Sequence, residues 1–283
     1  MISESIGFDH DAASRTLRGL SGAELYGDDF SADEIAEWFE DEREGYFNLY
    51  HLDAPVDAQP SEPYTYEALA HRHGFRWLPR REYQHALGIG SANGAELTPV
   101  LERSARVTVL EPSDGFSVPE ILGKPVNYIK PNASGLMPFA SETFDLIICF
   151  STLHHVPNVS TVIQEMFRVL KPGGHVLLRE PTHSMGDWRQ GRRGLTKRER
   201  GIPLTIFRSI VKDAGFEIVK ETRCMFSIMS RLQRLLGRPV WTVNWVVRLD
   251  EWICKLPVWP GRYHATWAWQ KIRPTGVAYV LKR

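Results

Sequence analysis

MPFASETFDLIICFSTLHHVPNVSTVIQEMFRVLKPGGHVLLREP, residues 137–181, carries two apolar runs on either side of an amphipathic segment. DLIICF (145–150) is a continuous apolar run, the pattern of a central parallel strand covered on both faces. HVLLRE (175–180) is a second such run, and the residues around 160–170 between them read as a helix. Strand, helix and strand in that order make a βαβ unit, and hence a parallel sheet. The pattern extends in both directions. Upstream, YQHALGI (83–89), RVTVLE (106–111) and VNYIK (126–130) read as strands, with helices over 94–103 and in a short piece near 118–122. Downstream, a helix over about 203–213, Gly215 and another strand follow, and TGVAYVLK (275–282) makes the last strand.

The 283 residues suit one large domain or two small ones. A chain this long buries about three quarters of its unfolded surface and needs no disulfide or structural metal to fold. With 43% apolar and 24% charged residues the composition is ordinary for a globular protein. Lys plus Arg and Asp plus Glu both number 34, so no global excess of charge points to nucleic acid. Three cysteines, Cys149, Cys224 and Cys254, are too few and scattered for a disulfide framework or a zinc site. The first residues show no secretory signal, and no run reaches the ~18 apolar residues of a membrane span. A cytoplasmic protein is expected. The zero net charge hides a gradient. Residues 1–60 hold fifteen acids and three bases, residues 171–240 fifteen bases and six acids. Either both are solvated faces, or the basic stretch meets an anionic ligand or membrane while the acidic segment folds near it.

Residues 1–80 read as a helical N-terminal cap. Ser31 and Glu34 form a capping-box pattern, and Ile35, Trp38 and Phe39 follow at helical spacing. The three prolines of DAPVDAQPSEPY (53–64) break the helix, and a second short helix spans about 65–73.

LGIGSANGAEL (87–97) joins the first strand to the first helix. Glycines there allow a sharp turn and close approach of backbone to ligand, at the carboxyl edge of the sheet where ligands bind. Glu111 ends the second strand and can accept both hydroxyl protons of an adenosine ribose. The pair points to a nucleoside-containing cofactor without saying which. A dinucleotide G-x-G-x-x-G counted from Gly88 fails at Asn93, and no phosphate-loop lysine follows.

Residues 137–181 resemble the class I S-adenosylmethionine-dependent methyltransferases, in the branch marked by an ordered PF…FDL…LHH…LKPGG run. The matching core is about 83–181, with plausible continuation through 222 and again at 275–282. The resemblance implies an α/β fold: a doubly wound, seven-stranded Rossmann-like sheet with an antiparallel last strand. Around it we expect the helical cap and a helical insertion before the last strand. It implies a cofactor-binding domain over 81–283 with an acceptor-binding insertion at about 183–270. It implies S-adenosyl-L-methionine as cofactor and S-adenosylhomocysteine as product. The implied contacts are Gly88, Gly90, Ser91, Gly94, Glu111 at the ribose, Asn132 and Ala133 at the adenine, and Ser151 at the methionyl part. Two departures stand out: Gly88 holds the family's acidic position and Ala92 its middle glycine.

His154, His155 and Glu180 lie at the ligand edge and are the candidate catalytic groups, a histidine being a reasonable base near neutral pH. After the fifth strand, His183, Asp187, Trp188, Arg189, Arg193 and Arg200 are candidate acceptor-binding residues. Guanidinium forks grip phosphate or carboxylate, and tryptophan stacks on sugar faces. These residues suit an anionic acceptor, and the REP…SMGDWR run resembles sequences of bacterial polysaccharide biosynthesis, which implies O-methylation at a hydroxyl of a sugar, sugar phosphate or glycan precursor. In residues 238–259, Trp241, Trp245, Leu249, Trp252, Ile253 and Leu256 fall on one helical face: core, lid, dimer face, or a peripheral contact at the inner face of a membrane. No metal-ligand spacing is present, so metal chemistry is not expected. A nicotinamide-dependent sugar oxidoreductase or epimerase, or a non-catalytic binding protein on this scaffold, are the alternatives.

Overall fold

The structure is a computed structural model that describes residues 10–51, 64–259 and 261–283. Seven strands form one sheet: β1 (Tyr83–Ile89), β2 (Ser104–Leu110), β3 (Asn127–Ile129), β4 (Phe144–Phe150), β5 (Leu170–Pro181), β6 (Glu217–Phe226) and β7 (Pro274–Lys282). Their spatial order is β3-β2-β1-β4-β5-β7-β6. β1 to β5 pair in parallel, and β7 runs antiparallel between β5 and β6. The chain winds outward from β1 to β3 and then crosses to β4 on the other side of β1. The crevice at that reversal, outside the ends of β1 and β4, is where open α/β sheets bind ligands.

β4 is covered on both faces, and Phe144 and Leu146 through Cys149 are fully buried. On one face Leu87, Ile147 and Leu178 pack beneath α6 (Val159–Val169) and α7 (Leu204–Asp213). On the other Ala86, Ile148 and Leu177 meet Phe75, Leu97 and Leu101. The sequence-derived strands are all present. The helix expected over 94–103 is shorter, a 3-10 turn at Ala95–Leu97 running into α5 (Thr98–Leu101). The helix expected near 118–122 is absent. Glu120–Ile121 instead pairs with Lys124–Pro125 as a small hairpin. Leu122 (φ +49) and Gly123 (φ +77) supply the two positive φ angles such a turn requires.

The N-terminal residues that the structure describes are helical: α1 (His10–Ser21), α2 (Ala32–Arg43), α3 (Gly45–His51) and α4 (Glu67–His73). The expected proline-rich loop falls outside the described residues up to position 63. The capping box is present, with Ser31 accepting from the Glu34 amide and the Glu34 carboxylate accepting from the Ser31 amide at 2.8 Å. α2 buries Trp38 completely, and the Trp38 indole donates to the His155 carbonyl at 2.7 Å. The charge gradient is an internal complementarity. Asp41 pairs with Lys197 (2.7 Å) and Arg198 (2.5 Å), and Glu37 with Arg198 (2.6 Å). The exposed pairs among these stabilise little singly. Their consequence is placement, since they seat the acidic helix on the segment after β5.

The insertion before β7 includes α8 (Gln233–Leu236) and α9 (Asn244–Cys254). Its orientation corrects the expectation. The face of α9 turned to the protein carries Val246, Val247, Asp250 and Cys254, whereas Trp245, Leu249 and Trp252 are exposed. Trp241 is buried in the preceding 3-10 turn. Asp250 explains the choice. Its carboxylate accepts from the amides of Met225 (2.9 Å) and Phe226 (2.6 Å) at the end of β6, where Met225 has φ +60. Among the described residues no helix is long and apolar enough to cross a membrane.

Candidate functional site

The loop after β1 turns through Gly90 (φ +60), Ala92 (φ +46) and Gly94 (φ +77). A Cβ at Gly90 would lie 2.3 Å from Thr152 Cγ2, and the Thr152 hydroxyl donates to the Ile89 carbonyl at 3.0 Å. Glycine therefore lets the ends of β1 and β4 close on each other. Ala92, in place of the family's glycine, holds the left-handed conformation at a cost of about 1–2 kcal/mol. Its amide donates to Glu111 Oε2 at 3.0 Å, and its carbonyl accepts from the Tyr128 hydroxyl at 2.9 Å. Those two bonds hold the strained turn.

A cavity of about 1060 Å³ opens along the crevice. That is the upper end of the small-molecule range of roughly 300–1,000 Å³, and room for a cofactor beside an acceptor. Of the expected cofactor residues, Gly90, Ser91, Glu111, Asn132, Ala133 and Ser151 line it. Gly88 and Gly94 do not. Gly88 lies within β1 under the loop, and Gly94 turns toward Ile121. Glu111 is buried, with Oε1 accepting from Ser113 N (3.1 Å) and Oε2 from Ala92 N (3.0 Å). Burial raises its pKa against those two hydrogen bonds. Each oxygen keeps a further acceptor site, so the carboxylate can still take two ribose hydroxyls. Asn132 Oδ1 accepts from Ser134 N at 3.0 Å, which leaves its amide NH₂ outside that bond at the cavity wall. Ser151 (φ +56) donates its amide to the Arg179 carbonyl at 2.7 Å.

Glu96 and Arg179 line the cavity too, and neither stood out in the sequence. A side chain at Gly88 would collide with Ser91, whose hydroxyl donates to Glu96 Oε1 at 2.7 Å. Glu96 thus returns a carboxylate to the region where the family's acid is lost. Burial raises its pKa to about 8. Tyr64 bridges Glu96 Oε2 (3.4 Å) to the Arg179 guanidinium (2.8 Å). Arg179 is buried beside the rings of Tyr66 and Phe150, and its Nε and Nη1 have no partner. A buried guanidinium with two orphaned donors at a cavity wall fits a ligand carboxylate. An apolar-looking strand, HVLLRE, concealed it.

The candidate catalytic group is rearranged. Glu180 is fully engaged. It accepts from the amides of Thr152 (2.8 Å), Leu153 (2.8 Å) and His154 (3.3 Å), and from His154 Nδ1 (2.7 Å). It clamps the turn after β4 and offers no free base, which corrects its assignment. Burial lowers the His154 pKa, but the Glu180 and Glu199 carboxylates outweigh it and raise it to about 9. His154 is thus a cation at neutral pH, unsuited to abstract a proton unless Glu199 changes partner. His155 Nδ1 bonds Glu42 Oε2 at 2.8 Å, and its Nε2 lies 3.4 Å from Glu199 Oε2. Glu42 and Glu199, both buried at the cavity wall, carried no sequence signal.

Of the expected acceptor residues, His183 alone lines the cavity. Burial lowers its pKa to about 4, so it is neutral. Asp187 and Arg189 pair with each other at 2.6 Å, which holds Asp187 at about 2. Trp188 stacks on Tyr26 with ring centroids 5.3 Å apart, and Arg193 is exposed. Arg200 is fully buried and donates to the carbonyls of Tyr26, Val156 and Pro157 at 2.9–3.0 Å. It is a backbone clamp.

A protein-family model described as "Methyltransferase domain" matches residues 87–178. A ubiquinone biosynthesis O-methyltransferase of Pseudomonas fluorescens (strain Pf0-1) is 30% identical over 135 residues, 39% of this chain and 58% of that protein. The chain therefore spans just over half the length of such curated relatives. A ubiquinone/menaquinone biosynthesis C-methyltransferase of Pasteurella multocida (strain Pm70) is 46% identical over 55 residues, 19% of this chain and 20% of that protein. The S-adenosylmethionine-dependent methyltransferase structure from Mesorhizobium loti superposes with TM-score 0.51 at 15% identity, covering 81% of this chain and all of that one. That likeness shows the fold. The glycine loop and the buried Glu111 thus lie along one crevice, within a region, residues 87–178, that matches a methyltransferase domain.

Proposed function

We propose that the protein transfers a methyl group from S-adenosylmethionine to a hydroxyl oxygen of a largely apolar, ring-bearing acceptor. One observation carries this: a single cavity joins the adenosyl-binding loop to a wall where apolar and aromatic side chains surround the His154, His155 and Glu199 group. When bound, the cofactor supplies an electrophilic methyl carbon on a sulfonium. Glu111 holds the ribose hydroxyls, and Asn132 and Ala133 meet the adenine. Glu96 faces the methionyl ammonium and Arg179 its carboxylate. At the far end Phe39, Tyr46, Leu49, Met185 and Leu195 present apolar surface to the acceptor. Orientation of the two reactants is the protein's main contribution. The acceptor hydroxyl loses its proton beside the His154, His155 and Glu199 group.

The anionic sugar acceptor loses its support, because the Asp187, Trp188, Arg189 and Arg193 side chains on which it rested lie away from the cavity wall. The printed names of the quinone-pathway relatives favour an aromatic hydroxyl. A polar group beside the acceptor hydroxyl favours oxygen over carbon as the nucleophile. The exposed Trp245 and Trp252 of α9 support a peripheral contact with a membrane, a source of such an acceptor. The test is methyl transfer from methyl-labelled cofactor to alkylated phenols and to sugar nucleotides in parallel. Label in the phenols is expected. Label in the sugar nucleotides alone would overturn the acceptor assignment.

A further inference from the structure

His154 and His155 are consecutive in a 3-10 turn, and Glu199 comes from the segment after β5. The fold brings one ring nitrogen of each imidazole and one oxygen of Glu199 together, with all three atoms within 4.8 Å of one another. Glu199 Oε2 stands 3.4 Å from His154 Nε2 and 3.4 Å from His155 Nε2. That separation exceeds the 2.7–3.2 Å of a well-formed N–H···O bond. It is the spacing, about 3.4 Å, of two ligand atoms each about 2.1 Å from a tetrahedral ion.

The outer partners have the matching arrangement. A metal-binding imidazole usually donates its other ring N–H to a carboxylate, which fixes the tautomer and aims the free lone pair. Here His154 Nδ1 is 2.7 Å from Glu180, and His155 Nδ1 is 2.8 Å from Glu42. Those carboxylates are themselves fixed. Glu180 accepts three backbone amides, and Glu42 accepts from Arg198 N (2.6 Å) and the Thr196 hydroxyl (2.5 Å). Glu199 Oε1 accepts from Thr196 N at 2.9 Å, so Oε2 is the oxygen directed at the two imidazoles. Three carboxylates thus surround two imidazoles in a largely buried place, on a wall that opens to the cavity.

We propose that His154, His155 and Glu199 bind a divalent first-row transition cation, of which Zn²⁺ is the representative, with its remaining positions open to the cavity. Two nitrogens and one carboxylate oxygen suit such an ion better than Mg²⁺ or Ca²⁺, which prefer oxygen donors. The binding stands on the geometry alone. Its role rests on the O-methylation reading: the acceptor hydroxyl occupies an open position and is acidified by the ion. The hydroxyl proton leaves to solvent and the oxygen forms a bond to the methyl carbon. The carbon–sulfur bond breaks with its electron pair remaining on sulfur, giving the methyl ether and the thioether product.

Co²⁺ replaces Zn²⁺ and reports its ligands by its visible absorption, so it is the probe. Metal-free full-length protein is titrated with Co²⁺, and S-adenosylhomocysteine binding is measured on the same samples by calorimetry. One equivalent of Co²⁺ with the intense visible bands of a low-symmetry site is expected. Glu199→Gln and His155→Asn should each weaken Co²⁺ binding at least tenfold and leave S-adenosylhomocysteine affinity unchanged. No Co²⁺ binding below 1 mM in a wild-type sample that binds S-adenosylhomocysteine would overturn the proposal, as would equal Co²⁺ affinity in folded variants. Co²⁺ binding without S-adenosylhomocysteine binding would uphold the metal site and overturn the functional reading instead.

Discussion

Glu96 shows how a lost residue is replaced in space. The family's acid would stand at Gly88, where a side chain has no room beside Ser91, and the carboxylate arrives from the following turn. The consequence is a pH-dependent stability. Glu96 titrates near 8 in the folded protein and near 4.5 when unfolded, so the folded state binds more protons between those values. Its stabilising contribution is full below about pH 4.5 and is lost as pH rises toward and through 8. Glu96→Gln is isosteric and stays neutral. Urea denaturation at pH 5, 6, 7 and 8 should show the wild type losing stability relative to this variant as pH rises. Identical slopes would refute the assignment. Single residues were the least legible scale. Glu111 is readable because it ends an apolar strand at a fixed distance from a glycine loop. Arg179, Glu42 and Glu199 are not, since what they touch comes from positions 64, 155 and 154 respectively.

At the scale of elements, β4 and β5 are readable because burial on both faces demands an uninterrupted apolar run. The hairpin at 120–125 is not, since two strands of two residues have no period to read. α9 misleads for a different reason: it carries two apolar stripes, and the pattern alone does not rank them. The smaller side chains of Val246, Val247 and Cys254 pack inward because Asp250 must reach the amides that end β6. The larger Trp245, Leu249 and Trp252 are left outside with the exposed Arg248 and Lys255, an aromatic and cationic face suited to an anionic bilayer surface. In co-sedimentation with vesicles containing anionic lipid, the wild type should pellet at low salt. Trp245→Ala/Trp252→Ala should remain in solution, with its thermal unfolding unchanged because both side chains are solvent-facing. Equal pelleting of the two proteins would remove α9 from the contact.

For the molecule as a whole, the acidic N-terminal helices and the basic segment after β5 close over one end of a crevice that the sheet creates. Trp38, Glu42 and Arg200 connect those parts to the turn after β4. The sheet and the cofactor end were legible because one run of sequence carries them. The acceptor end was not, because it is assembled from α2, the turn after β4 and residues 183–199, and arginines that look suited to an anion are spent on pinning backbone. We propose above that this crevice holds an adenosyl sulfonium with Glu111 on its ribose. Calorimetric titration of S-adenosylhomocysteine into the wild type and Glu111→Ala tests it directly. One site is predicted in the wild type, weakened by roughly 1–3 kcal/mol in the variant, the cost of stranding buried hydrogen-bond partners. Equal affinities, or no binding to folded wild type at millimolar ligand, would contradict it.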